Sequence, residues 1–375
     1  LDLSSGTFSS DNSSVLDLQA AIKLTSNNQV LFEDVHFNGN VLSLGSATTH
    51  LKINDALALS GIALETGAGT LTLSGALALT DNASLNSSGG TITLKSGGTS
   101  TGSVVSLPGT TLVLENALSL TGATLKTNGT TFTTNANALT LSGGILEVEG
   151  VQDLGGVLPD NSTTLRLAAN STIDDNASLS VGTLDLANFA LTLDDNMSRL
   201  SIAQSLTLDA TGEKLVTGAA DLSLNGGISA TSGTLSSTGG IVSASNLSAG
   251  AAGIINFQGG TLSLPGGATL VSGSSFSTSN TTLNLGGSLA VAGTWSGSNT
   301  TSISLTTDNA SLSSTVALSL ASLQTNGHDF ELASATSDLT IENAFALSGS
   351  ETLSTQGADL VFESSANISP GSTLD

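Results

Sequence analysis

A short phrase of alternating apolar and polar residues returns along this chain at intervals of about twenty residues. Leu51-Lys52-Ile53, Leu71-Thr72-Leu73, Thr91-Ile92-Thr93-Leu94 and Thr111-Leu112-Val113-Leu114 open successive blocks, each followed by a small-residue turn and another alternating segment. A unit this short cannot bury an apolar face alone and must stack on its neighbours. The repeat thus fixes the architecture far more tightly than it fixes a biochemical role.

The stretch 67–94 displays one unit in full. Thr70-Leu71-Thr72-Leu73-Ser74 alternates, Gly75 turns, Ala76-Leu77-Ala78-Leu79-Thr80 alternates again, Asp81-Asn82 turns, and Ala83-Ser84-Leu85-Asn86 makes a third short strand. Glycine reaches positive φ without a Cβ penalty, and Asp or Asn can bond its own backbone two residues on. Three short strands with Gly or Asx corners predict an all-β fold, a parallel β-helix (β-solenoid) that is three-sided with about 20 residues per coil. The handedness rule for parallel connections favours a right-handed path.

Further phrases keep the same period. Asn54-Asp55-Ala56-Leu57-Ala58-Leu59 returns as Ser74-Gly75-Ala76-Leu77-Ala78-Leu79, as Glu115-Asn116-Ala117-Leu118-Ser119-Leu120 and as Glu342-Asn343-Ala344-Phe345-Ala346-Leu347. Asp81-Asn82-Ala83-Ser84-Leu85 returns at 175–179 and 308–312. Stacked coils require such long-range register, because each strand pairs with its copy one turn on. Roughly 18 or 19 coils at ~4.8 Å per stacked strand predict a rod on the order of 85–90 Å long.

One continuous solenoid domain over 1–375 is the simplest organisation. The pattern opens in mid-repeat at Leu1-Asp2-Leu3 and stops in mid-repeat at Ser372-Thr373-Leu374, so the expectation is a fragment of a longer chain. A loop insertion is expected near 143–162, where the spacing stretches around Leu146-Glu147-Val148-Glu149-Gly150 and Gly155-Gly156-Val157-Leu158-Pro159-Asp160. Between Gly233 and Gly260 alanine, glycine and serine replace leucine, predicting a slimmer cross-section.

Composition narrows the function classes. Seven Lys+Arg stand against thirty Asp+Glu for a net charge of -23, and no Lys or Arg follows Lys214. A phosphate backbone needs clustered basic side chains, so nucleic acid is not an expected partner. Hydrophobic residues make up 38% of the chain and fall at period two, which argues against disorder. Cysteine is absent, which removes disulfides, thiolate metal sites and cysteine nucleophiles. No apolar run approaches the ~20 residues that span a bilayer, so the chain is not expected to be membrane-spanning.

Candidate chemistry is sparse. His36, His50 and His328 sit in unlike contexts, and His36 reads as a strand side chain facing water. Gly67-Ala68-Gly69 precedes a period-two strand, not the helix that a dinucleotide fingerprint needs. One acidic cluster has the coil period: Asp174-Asp175-Asn176 and Asp194-Asp195-Asn196. Stacked one coil apart, Asp174, Asp175, Asp194 and Asp195 would either splay into water or share a hard cation, making them a candidate Ca²⁺ site. The regular calcium nonapeptide is absent, and solvated turn aspartates are the simpler reading. A Thr-x-Thr ice-binding face is suggested by Thr70-Leu71-Thr72 and Thr91-Ile92-Thr93, but Leu112-Val113-Leu114 interrupts it. Asn-x-Ser/Thr sequons such as those at Asn82, Asn161 and Asn280 fall at predicted corners, where they would be exposed.

The phrase Gly67-Ala68-Gly69-Thr70-Leu71-Thr72-Leu73-Ser74-Gly75-Ala76 resembles the passenger-associated repeat of bacterial autotransporters, with weaker echoes at 109–114 and 260–264. The chain then departs from the family's aromatic continuation, running on as Leu77-Ala78-Leu79-Thr80 with no tyrosine anywhere. The resemblance covers about ten residues. It implies a β-helical stalk akin to those of autotransporter and filamentous-haemagglutinin-like exoproteins, placed at the cell surface or secreted, and mostly serving adhesion.

The resulting expectation is a non-enzymatic, extracellular or cell-surface structural rod, the stalk of an adhesin or a subunit of an extracellular fibre. Its expected partners are further copies joined end to end, or host or surface glycans or matrix. The alternative is a polysaccharide-binding or polysaccharide-cleaving β-helix. That reading calls for aromatic platforms and clustered carboxylates, and Trp295 is the one tryptophan.

Overall fold

The computed structural model describes residues 1–3, 13–135, 138–174, 178–194, 199–306, 309–347 and 349–375. The chain is an all-β parallel β-solenoid whose coils repeat at about twenty residues, and it divides into two compact units, Leu1–Asp185 and Leu186–Asp375. Every strand pairing within the named ladders is parallel, and register partners lie from 18 residues apart (Leu139 to Val157) to 24 apart (Ala190 to Lys214).

In the first unit three ladders carry the stack. One holds Gln29–Phe32, His50–Ile53, Thr70–Leu73, Thr91–Leu94, Thr111–Leu114 and Thr131–Thr133. A second holds Leu57–Ser60, Leu77–Thr80, Gly98–Thr101, Leu118–Thr121, Leu139–Ser142 and Val157–Pro159. The third begins at Ile22–Leu24 and runs through Ser84–Ser87 and Thr124–Asn128 to Thr183–Asp185. The coil read from the sequence at 67–94 is thus present as Thr70–Leu73, Leu77–Thr80 and Ser84–Ser87. Within 143–162 lie the eight-residue strand Ile145–Gln152 and the short strand Val157–Pro159, each paired in its ladder.

Period-two alternation sorts side chains to the two faces of each strand. In the first ladder Phe32, Ile53, Leu73, Leu94 and Leu114 stand in register, and Ile53, Leu73 and Leu114 are fully buried. Burying a leucine side chain stabilises by roughly 1.5–3 kcal/mol, so the column is the main source of cohesion between coils. The second ladder breaks its column once. Leu79, Ser100 and Leu120 are successive partners, as are Leu77, Gly98 and Leu118. The Ser100 hydroxyl is buried there with no hydrogen-bond partner.

The second unit repeats the scheme. One ladder runs from Ala190–Leu193 through Lys214–Val216 and Ile254–Gln258 to Thr294–Ser296, and another from Arg199–Ile202 to Ser322–Gln324. A third runs from Leu206–Leu208 through Ser288–Val291, Ala310–Ser314 and Phe330–Leu332 to Thr373–Leu374. The core stays apolar over 233–260, where Leu235, Val242, Ala249 and Ile255 are fully buried.

Coils approach most closely at their corners. Gly90 has φ +69, and a Cβ on it would lie 2.2 Å from the Gly69 carbonyl oxygen of the preceding coil. Only glycine satisfies both the left-handed backbone and that backbone contact.

The last described coil differs from those before it in one respect. Ile341, Leu347 and Leu353 are fully buried, and their register partners one coil on are Phe362, Ile368 and Leu374. Ile368 and Leu374 are 40% and 43% exposed.

Candidate functional surfaces

Outward positions in the first unit stack into a column of alternating charge. Lys126 faces Glu147, Glu147 faces Arg166, and Arg166 faces Asp185 in consecutive coils of the third ladder. Lys126 Nζ lies 2.9 Å from Glu147 Oε1, and Arg166 Nε donates to Asp185 Oδ2 at 3.0 Å. Lys95 with Glu115 and, in the second unit, Arg199 with Asp221 repeat the cross-coil pairing at 3.9 Å. These four basic side chains thus lie against acids one coil away instead of forming a basic patch. The coil period could have found the pairs, since each acid follows its cation by about one repeat.

The histidines are not gathered into a site. His36 is exposed, with Nε2 2.9 Å from Asp34 Oδ2. His50 is half-buried between Gln29 Nε2 at 3.3 Å and Thr72 Oγ1 at 3.1 Å. Burial, reinforced by the Lys52 charge, pushes its pKa below the ordinary histidine value. His328 stands in the second unit, its backbone N–H donating to Thr325 O at 3.0 Å. Among the described residues no group of three or more His, Asp or Glu side chains could hold a metal ion.

Of the four candidate calcium carboxylates, Asp174 is exposed and directly follows Thr164–Ile173, its backbone N–H donating to Gln152 O at 2.8 Å. Asp194 is half-buried and directly follows Ala190–Leu193 in the second unit. Asp175 and Asp195 lie outside the described residues.

Among the described residues the tryptophan and most of the phenylalanines face inward. Trp295 is 7% exposed, packs on Phe276 with ring centroids 5.2 Å apart, and donates Nε1–H to Thr278 Oγ1 at 2.8 Å. Phe257, Phe330 and Phe345 are fully buried. Among the described residues no Phe or Trp belongs to the exposed large hydrophobics, and Phe132, Phe189 and Phe362 are half-buried. The threonine columns extend further than the sequence suggested, with Thr131–Thr133 carrying the pattern one coil beyond the interruption at Val113. Asn82 and Asn280 occupy left-handed corners at φ 61 and 52, and Asn82 is exposed.

A well-formed concavity lies in the second unit, on the outer face of the third ladder. It is a trough of about 510 Å³ lined by Ser288, Asn309, Ser311, Asp329, Glu331 and Ser354. Ser288, Ser311, Glu331 and Ser354 are consecutive register partners in that ladder. Asp329 is held in place: Asn309 Nδ2 donates to its Oδ2 at 3.1 Å, and the Thr352 backbone N–H donates to its Oδ1 at 2.6 Å.

No family profile, no curated protein and no solved structure matches the chain.

The described surfaces therefore carry structural chemistry in most places. Outward polar side chains pair across coils, corners are fixed by carboxylates and amides, and the core is closed. Asp160 illustrates the corners, accepting from Ser162 Oγ at 2.6 Å, Ser142 Oγ at 2.7 Å and the Ser162 backbone N–H at 2.9 Å. Among the described residues no helix is long and apolar enough to cross a membrane.

Proposed function

We propose that this chain is an extracellular structural rod, the stalk of a cell-surface adhesin or a subunit of an extracellular fibre, wound as a right-handed, three-sided solenoid. One observation carries the reading: in each unit the inward positions form apolar columns, interrupted in the first unit at Gly98 and Ser100, while outward side chains such as Lys126, Arg166 and Ser322 pair with residues one coil away. Such a body resists bending because every coil is registered on its neighbours through short parallel strands. The three long ladders of each unit favour three sides, and the handedness preference for parallel connections favours the right-handed path. The autotransporter-like phrase at 67–76 supports a surface or secreted location. Buried aromatic rings weigh against the polysaccharide-groove alternative.

Lengthwise association belongs to the same reading. The exposed apolar positions Ile368 and Leu374 fit a parallel coil bearing leucines at alternate positions. A second copy of this chain offers such coils. Sedimentation and light scattering across concentration test this, with Ile368→Lys/Leu374→Lys as the comparison. The wild-type chain is expected to associate as concentration rises, with weak salt dependence, and the double variant to stay monomeric with an unchanged β spectrum. A strict monomer at every concentration overturns the end-to-end contact. Compact particles in electron micrographs overturn the rod.

A further inference from the structure

The trough over Ser311, Glu331 and Ser354 has a composition that the structural reading does not use. Glu331 is half-buried on the trough floor, and among the described residues its carboxylate has neither a hydrogen bond nor an ion pair. Among the described residues the hydroxyls of Ser288, Ser311 and Ser354 likewise have no hydrogen-bond partner. In the ladder Ser311 precedes Glu331 by one coil and Ser354 follows it by one coil. Stacked strands are ~4.8 Å apart, so a carboxylate stands between two hydroxyl oxygens in a short row of acceptors.

Charge selects the ligand. Asp329, beside Glu331, is satisfied only by the neutral donors Asn309 and Thr352, so both carboxylates keep their negative charge without a cation. No Lys or Arg follows Lys214 in the sequence. A concave wall of low dielectric concentrates such a field and draws in cations. An anion is repelled here, and Phe330, the aromatic residue among the described lining, is too deeply buried to offer a face to a sugar ring. A calcium ion seeks six to eight oxygens, usually with several carboxylates (~6–8 ligands), whereas one unengaged carboxylate is present.

We propose that this trough binds a primary ammonium group. An ammonium presents three N–H donors and accepts nothing, which matches one carboxylate flanked by two hydroxyls. The group sits over Glu331 with its charge on the carboxylate and its remaining protons on Ser311 Oγ and Ser354 Oγ. Asp329 adds attraction without giving up its own hydrogen bonds. The trough is long enough along the ladder to receive the carbon chain that carries the ammonium, with Ser288 lining its far end. A polyamine, a lysine side chain and an amino sugar all present this chemistry.

The test is a titration of the full chain with 1,5-diaminopentane near physiological salt, followed by amide NMR shifts. Shifts are expected to saturate and to centre on Ser311, Glu331 and Ser354. Glu331→Gln should weaken binding at least tenfold, Ser311→Ala and Ser354→Ala each by several-fold, and the exposed Asp359→Asn should leave it unchanged. Melting curves establish that each variant is folded. 1,5-Pentanediol, equal in length but uncharged, should produce no shift. Parallel titrations with Nα-acetyl-lysine amide and glucosamine distinguish the source of the ammonium by relative affinity. Equal binding by Glu331→Gln, equal shifts with the diol, shifts spread over carboxylates throughout the chain, or displacement by calcium at a tenfold lower concentration would each overturn the proposal.

Discussion

Trp295 donates its indole N–H to Thr278 Oγ1, 2.8 Å away inside the second unit. The ring is therefore part of the core and its polar edge is satisfied there. Trp295→Phe removes the bond and some packing volume, and should destabilise by roughly 1–3 kcal/mol. Fluorescence supplies an independent check. Emission from the wild-type indole should be blue-shifted and resistant to acrylamide, and a freely quenched ring would contradict the burial.

The inward column sets a sharper contrast. Leu73 is fully buried between Ile53 and Leu94, whereas Thr72 faces outward and half-exposed beside His50. Leu73→Asp puts a carboxylate into a core shared with two other coils and should cost on the order of 3–5 kcal/mol. Thr72→Asp should cost under about 1 kcal/mol. Comparable melting temperatures would show that the faces of this strand are assigned the wrong way round.

Ser100 and Ser103 make a second contrast, because both are buried but only one is bonded. Ser103 Oγ donates to Thr101 O at 3.0 Å, while Ser100 Oγ has no partner. Ser100→Ala removes an unpaired polar atom and should stabilise by ~1 kcal/mol, and Ser103→Ala should destabilise by a similar amount. Denaturant midpoints at constant slope decide the sign.

Acid sensitivity should pass through Asp160. The hydroxyl of Ser162, then that of Ser142, then the Ser162 backbone N–H hold its carboxyl well below the usual carboxylate range. A depressed folded-state pKa gives stability that is complete above the unfolded value, about pH 4. That stability is lost as pH falls through the folded value. Asp160→Asn should flatten part of the acid limb of a melting-temperature profile while changing the neutral limb less. An identical acid limb in the two proteins would remove Asp160 from the account.

Chelation addresses the acidic turns. Exposed Asp174 is expected to be solvated, so EDTA should leave the melting temperature unchanged. Asp174→Asn with Asp194→Asn should be neutral or slightly stabilising. A fall in melting temperature on chelation, abolished by that double change, would instead identify a calcium site by mass action.

Much of this fold was readable because its determinants are local and repeated. Leu71 and Leu73 lie two apart, Gly75 and Asp81-Asn82 mark corners, and the observed strands Thr70–Leu73, Leu77–Thr80 and Ser84–Ser87 follow. What was not readable depends on register between coils. Corners of unequal length shift partners from 18 to 24 residues apart, so the coil period points from Lys126 to the neighbourhood of Glu147 while the register itself is set only in the stacked coils. Trp295 was read only as a scarce aromatic, because a lone indole at an alternating position does not announce which way its edge bonds. The trough required three coils to be placed together before Ser311, Glu331 and Ser354 became neighbours. Glu331 had no local motif to mark it.

The interrupted column at Gly98 and Ser100 has a mechanical consequence. Under tension along the stacking direction of the first unit, adjacent layers part where the least apolar surface binds them. The layer carrying Gly98 and Ser100 lacks the two leucines that its neighbours place at those positions. It is where a crack should start. In a single-molecule pulling experiment the first unit should yield there before its leucine-filled layers, and Ser100→Leu, if accommodated, should raise the force of that first step. An unaltered first step would place the weak layer elsewhere.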